Sequence, residues 1–256
     1  MTLLHAFILS IVEGITEFLP ISSTGHLILA TKLLAIPETE FAKSFEIFIQ
    51  LGAIMAVVTL YFRKILQNRG LIRPLIIAFL PTGVIGFGLY KITKTYLLGN
   101  DMVVVATLAS IGIALILLEK FWKSHPPKAT KTIETLSIRE LLTIGTFQSL
   151  SVVPGVSRAA ATIVGGMTNN LSRTDAVEFS FLLAVPTMAA ATVLDLLKSG
   201  HSFSGSELQL LGVGFIVSWI VATIVMKTFI KFVQNGTFTG FGIYRILIAC
   251  LYAFIR

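Results

Sequence analysis

Six long, mostly apolar runs decide what this chain can become. They cover residues 45–62, 74–90, 103–118, 179–197, 208–230 and 241–255. Strands are usually about 5–6 residues long, so runs of this length read as helices. At 1.5 Å rise, roughly 20 apolar residues cross the hydrocarbon core of a bilayer. Composition agrees. The 256 residues are 55% hydrophobic and 13% charged, whereas a soluble domain is about 45–50% apolar and 25% charged. The fold class is all-α, in one membrane-integral domain. Cys250 is the only cysteine, so no intrachain disulfide forms, and its place in an apolar run predicts a packing role. No Lys or Arg precedes the first apolar stretch and Glu13 lies within it. That is not the pattern of a cleaved signal peptide.

Two further apolar stretches are notched by polar residues. Residues 3–36 break at Pro20, and residues 141–167 break at Pro154-Gly155. Each piece is short for a span, and the polar residues gather at the break. Re-entrant helical hairpins are expected, because irregular backbone at membrane depth survives where it lines a cavity. An offset of 134 aligns Pro20 with Pro154, Ser23 with Ser157, Phe45 with Phe179 and Leu60 with Leu194. We expect one repeat over about 1–122, a polar linker over about 123–137 containing His125-Pro126-Pro127, and a second repeat over about 138–256. Three spans plus a hairpin make an odd number of crossings, so the second repeat is expected to be inverted. In that layout twelve Lys and Arg fall on one side, from Arg63 and Lys64 through Lys120, Lys128 and Arg173 to Lys231. Six fall on the other: Lys32, Lys43, Lys91, Lys94, Lys198 and Arg256. The richer side is expected to be cytoplasmic, with both termini outside. This accounts for the net charge of +7 without a nucleic-acid partner.

The chemistry sits at the breaks. If residues 9–19 are helical, Glu13 and Glu17 lie one turn apart on one face. Such a pair in a low dielectric shares a proton or a cation. Magnesium or calcium suits carboxylate oxygens together with phosphate oxygens. Ser22, Ser23 and Thr24 are N-cap candidates for a helix from about Gly25, and a fresh helix N-terminus suits a phosphate. Ser23 is the nucleophile candidate, either attacking phosphorus itself or positioning a water, with His26 one turn away as a base or as a satisfied structural histidine. Arg158 is the only basic residue in either break. An intramembrane guanidinium needs a partner, and Glu13, Glu17 or a phosphate each fit. Ser22, Thr24, Gly155 and Ser157 are expected to line the substrate site. Glu46 and Gln50, one turn apart, are weaker candidates for the same cavity wall. Asp195 and Arg245 near span ends are expected to snorkel or to pair. His5, His125 and His201 look peripheral. No P-loop, zinc-spaced His/Cys cluster or dinucleotide fingerprint is present.

The run Glu13-Gly-Ile-Thr-Glu17-Phe-Leu-Pro-Ile-Ser22-Ser23-Thr24-Gly-His26 closely resembles the signature of the bacitracin-resistance protein family of bacterial undecaprenyl-diphosphate phosphatases. Pro154-Gly155-Val156-Ser157-Arg158 resembles its second signature, and residues 178–186 resemble one of its spans. After the arginine the family usually carries serine and often glycine, where this chain has Ala159 and Ala160. The resemblance covers essentially the whole chain. It implies hydrolysis of undecaprenyl diphosphate to the monophosphate and inorganic phosphate, a divalent cation, a bacterial plasma-membrane location and a site opening outward. It also implies catalytic positions at Glu13, Glu17, Ser23, His26 and Arg158. The expected partners are a polyprenyl diphosphate and membrane lipids, and a homodimer is allowed. A transporter or lipid-phosphate flippase is the alternative, because inverted repeats with broken helices also build transporters.

Overall fold

A computed structural model describes residues 1–97, 100–125, 129–199 and 203–255, with backbone only at 94, 195–199 and 255. The expectations at Pro126, Pro127, Lys128, His201 and Arg256, and for the side chains of Lys94, Asp195 and Lys198, lie outside the described residues. Among the described residues ten α-helices follow one another: α1 Leu3–Thr16, α2 Ser23–Leu33, α3 Glu40–Gln67, α4 Ile72–Ile92, α5 Asp101–Ser124, α6 Ile138–Ser149, α7 Arg158–Thr168, α8 Arg173–Ser199, α9 Gly205–Val233 and α10 Thr239–Ile255. Among the described residues there is no strand, only an isolated bridge between Lys131 and Leu171.

Among the described residues five helical stretches are long and apolar enough to cross a membrane: α3, Arg69–Ile92, α5, the Arg173–Leu194 part of α8, and α9. They outrun the apolar runs that betrayed them, since α3 has 28 residues and α9 has 29. Their polar ends are helical because caps satisfy the free N–H groups. Thr39 accepts from the Ala42 amide, Asn100 from Met102 and Val103, and Ser204 closes a capping box with Glu207. The sixth apolar run, α10, has only 17 residues, about 26 Å of helix. It lies along α5. Cys250, expected to be packed, is exposed on α10.

The two halves pack by the same plan. Helix α9 lies against α1 and α3, as α4 lies against α6 and α8; α1 meets α2 as α6 meets α7; α3 meets α8, and α5 meets α10. Exchanging the halves maps these pairs onto one another; α7 also packs along α8, and α1 along α3, without a matching pair in the other half. Each half lends a helix to hold the other half's broken hairpin. Close approach is built in at Gly145 of α6, where an added Cβ would come 2.1 Å from the Ala78 carbonyl oxygen of α4. Phe45 and Phe179, aligned in the sequence, are both fully buried.

Candidate active site

The first break forms earlier than Pro20 requires. Helix α1 ends at Thr16, and Glu17 caps it with its amide on the Glu13 carbonyl, 2.9 Å away. The two carboxylates are thus one turn apart, as the spacing predicts. The chain then turns through Pro20 to Ser22, which has φ 74°. Ser22 Oγ accepts from the Gly25 amide, so it is the N-cap of α2 and Ser23 is the first helical residue. The second break repeats this geometry. Gly155 has φ 89° and Ser157 has φ 71°; Ser157 Oγ accepts from the Ala160 amide, and Arg158 is the first residue of α7. Both helices have 11 residues. The capping serines thus pair Ser22 with Ser157, one step from the alignment of Ser23 with Ser157 in the sequence. Ser23 and Arg158 are the equivalent residues. The first break places a hydroxyl, and the second a guanidinium, at the same point of the helix that follows it.

Both converge on Glu17. Ser23 Oγ donates to Glu17 Oε2 at 2.5 Å, and Arg158 Nη2 donates to Glu17 Oε1 at 3.0 Å. Arg158 is further held by Nη1 on the Ser180 carbonyl at 2.8 Å and lies over the Phe18 ring. Its Nε is buried with no partner among the described residues. The pair is sequestered, with side-chain exposures of 9% for Arg158 and 7% for Glu17. A cavity of about 150 Å³ opens beside it. Ser22, Ser23, Thr24, Gly155, Ser157 and Arg158 all line it, so the first turns of α2 and α7 face one space. Gln50 and Thr187 complete a polar wall, with Met188 and Ala191 on the apolar side. Ala159 and Ala160, where the family pattern has polar or small residues, are buried.

Glu13 stands behind this wall. It is fully buried, and neither carboxylate oxygen has a partner among the described residues. A buried carboxylate without donors calls for a proton or a cation. No group of three or more His, Cys, Asp or Glu that could hold a metal is found among the described residues. Magnesium, however, usually binds through one or two carboxylates plus substrate phosphates. Glu17 on the wall of the cavity, with Glu13 one turn behind it, fits that donor set.

His26 is not brought to Ser23. Its Nδ1 lies 2.7 Å from the Ser22 carbonyl oxygen and its Nε2 lies 2.9 Å from the Tyr244 hydroxyl. Both ring nitrogens are taken, and Ser23 turns to Glu17 instead. Arg245 also departs from expectation. It does not snorkel: it is fully buried, and among the described residues its partners are backbone carbonyls. Its Nη1 donates to the Pro20 carbonyl at 3.2 Å and Nη2 to the Gly155 carbonyl at 2.6 Å; the same fork reaches the Leu108 and Thr107 carbonyls of α5. One guanidinium thereby ties both broken tips to α5. Gln148 was missed as well. It is fully buried and donates to Thr82 and Thr187; its Oε1 lies 3.3 Å from the hydroxyl of Thr162, whose proton has a second acceptor in reach, the Arg158 carbonyl at 2.8 Å. Its sequence signal is a lone amide in an apolar run.

Comparisons with known proteins agree with the resemblance. A family profile described as "Bacitracin resistance protein BacA" matches residues 6–251. The chain is 51% identical to an undecaprenyl-diphosphatase of Aquifex aeolicus over 253 residues, 99% of this chain and 98% of the relative. It is 50% identical to one of Sulfurihydrogenibium over 252 residues, 98% of each chain. It is 46% identical to one of Wolinella succinogenes over 254 residues, 99% and 98%. With the paired signatures in place and nearly the full length matched, this chain belongs to the bacitracin resistance protein BacA family.

Proposed function

We propose that Ser23, Glu17 and Arg158 form the centre that removes the terminal phosphate from undecaprenyl diphosphate. The products are undecaprenyl phosphate and inorganic phosphate, and the reaction recycles a lipid carrier for envelope synthesis. Bacitracin resistance is the associated trait of the family. The observation that carries the reading is Glu17 gripping Ser23 Oγ with one oxygen and Arg158 with the other.

The chemistry follows from that arrangement. Ser23 Oγ attacks the terminal phosphorus as its proton passes to Glu17 Oε2. The bond from phosphorus to the bridging oxygen breaks, and undecaprenyl phosphate leaves with the electron pair. Water then displaces Ser23 Oγ from phosphorus, Glu17 returns the proton to it, and inorganic phosphate departs. Arg158 Nε, which has no acceptor among the described residues, is the donor for an equatorial phosphate oxygen. The helix N-termini at Ser22–Thr24 and Ser157 favour the same anion. Glu13 and Glu17 would hold a magnesium or calcium ion, which when bound neutralises charge on the phosphate oxygens. His26 holds the turn that aims Ser23.

The architecture proposed around this centre has α3, α4, α5, α8, α9 and α10 as six spans and α1–α2 and α6–α7 as two re-entrant hairpins. The halves are inverted, the termini lie outside and the site opens outward. The exchange symmetry of the packing supports this, as does the charge bias of the loops. The test is phosphate release from undecaprenyl diphosphate by purified protein in detergent, with and without a chelator. Transport cannot occur there, so absence of release would favour a carrier. Arg158→Ala should lose about a hundredfold in rate, ~3 kcal/mol.

A further inference from the structure

Tyr244 precedes Arg245 on α10 and meets the first hairpin from the side. Its ring is stacked on that of His26, with centroids 5.5 Å apart and planes 6° apart, and its hydroxyl lies 2.9 Å from Nε2. A carbonyl only accepts, so the 2.7 Å contact of His26 Nδ1 with the Ser22 carbonyl places a proton on Nδ1. In the neutral ring Nε2 is then an acceptor, and the Tyr244 hydroxyl donates to it. The far end of this chain is Ser22, held at φ 74° immediately before Ser23. A serine held there needs surrounding structure to keep it.

We infer that Tyr244 is a positioning residue for the phosphatase reaction, acting through His26 on the Ser22 carbonyl and so on the aim of Ser23 at phosphorus. The inference deepens the proposed function and rests on it. Helix α10 then serves the site twice: Arg245 fixes where the two tips stand, and Tyr244 fixes how the nucleophilic turn is wound. Proton transfer from Ser23 goes to Glu17, and His26 is a strut of defined tautomer.

The test compares wild type with Tyr244→Phe, His26→Gln and the double variant, all assayed by phosphate release in detergent. Phenylalanine keeps the stacked ring and removes only the hydroxyl. Loss of one hydrogen bond in the chain should lower kcat about tenfold. KM should stay within about twofold, and the thermal unfolding temperature should hold. Because both groups act on one carbonyl, the double variant should be no slower than His26→Gln alone. A Tyr244→Phe enzyme with wild-type kcat would overturn the inference. So would a loss explained by unfolding, or effects that multiply in the double variant. Failure of wild type itself to release phosphate would instead sink the underlying functional reading, so the two failures are told apart.

Discussion

Replacing Glu17 by glutamine changes one atom and separates binding from chemistry. Glu17 makes two contacts, 2.5 Å to Ser23 Oγ and 3.0 Å to Arg158 Nη2. An amide cannot accept from both with separate oxygens. If its oxygen faces Arg158, its NH2 faces Ser23, and the serine has no base. Losing a positioned general base typically costs 10²–10⁴ in rate, about 3–5 kcal/mol. The ion pair gives the opposite sign for binding. Arg158 keeps the Ser180 carbonyl but loses its counter-charge, and a phosphate is then the strongest partner in reach. With magnesium saturating, so that a weakened cation site does not enter, we therefore expect Glu17→Gln to lower kcat at least a hundredfold while KM stays level or falls. Phosphate release measured across lipid concentrations reads both constants. A kcat within tenfold of wild type, or a raised KM at unchanged kcat, would refute Glu17 as the proton acceptor.

Three further outcomes follow from other parts of the fold. Gly155→Ala should unfold at lower temperature and lose activity. Gly155 holds φ 89°, and its Cβ would come 2.1 Å from Thr107 Oγ1, the group that donates to the Pro154 carbonyl at 2.7 Å. Arg245→Met should also destabilise. It strips the donors from the Pro20 and Gly155 carbonyls, which lie outside helices, at about 1–3 kcal/mol each; thermal unfolding in detergent measures it. On the linker side, the Lys131 ammonium, followed by the Ser137 amide, holds the Glu140 carboxyl below its usual range. A lowered folded value means this stabilisation is present at neutral pH and is lost as pH falls through it. The protection of the first α6 amides against exchange, relative to their intrinsic rate at each pH, should therefore fall on acidification, and Lys131→Met should weaken that pH dependence, leaving the part due to Ser137.

Much of this site could be read from residue types in the chain. Glu13 and Glu17 differ by one helical turn, the prolines and serines mark both breaks, and Arg158 is a charge with no apolar excuse. Each is a local signal. What escaped the sequence depends on contacts between distant residues. Tyr244 meets His26 across 218 positions, and a tyrosine in an apolar helix carries no mark of that role. Arg245 binds carbonyls, which every residue has, so nothing in its neighbourhood names its acceptors. The sequence offset that aligns Phe45 with Phe179 pairs two fully buried residues, but at the tips it is off by one. Prolines and serines cluster there, and only the backbone angles of Ser22 and Ser157 show which serine caps.

The most direct measurement is a single-turnover reaction with undecaprenyl diphosphate labelled in its terminal phosphate, quenched in acid within the first turnover. The account predicts transient label on Ser23 in wild type and none in Ser23→Ala, with phosphate release lost in the variant. Unlabelled protein throughout a productive turnover, or brisk release by Ser23→Ala, would contradict it.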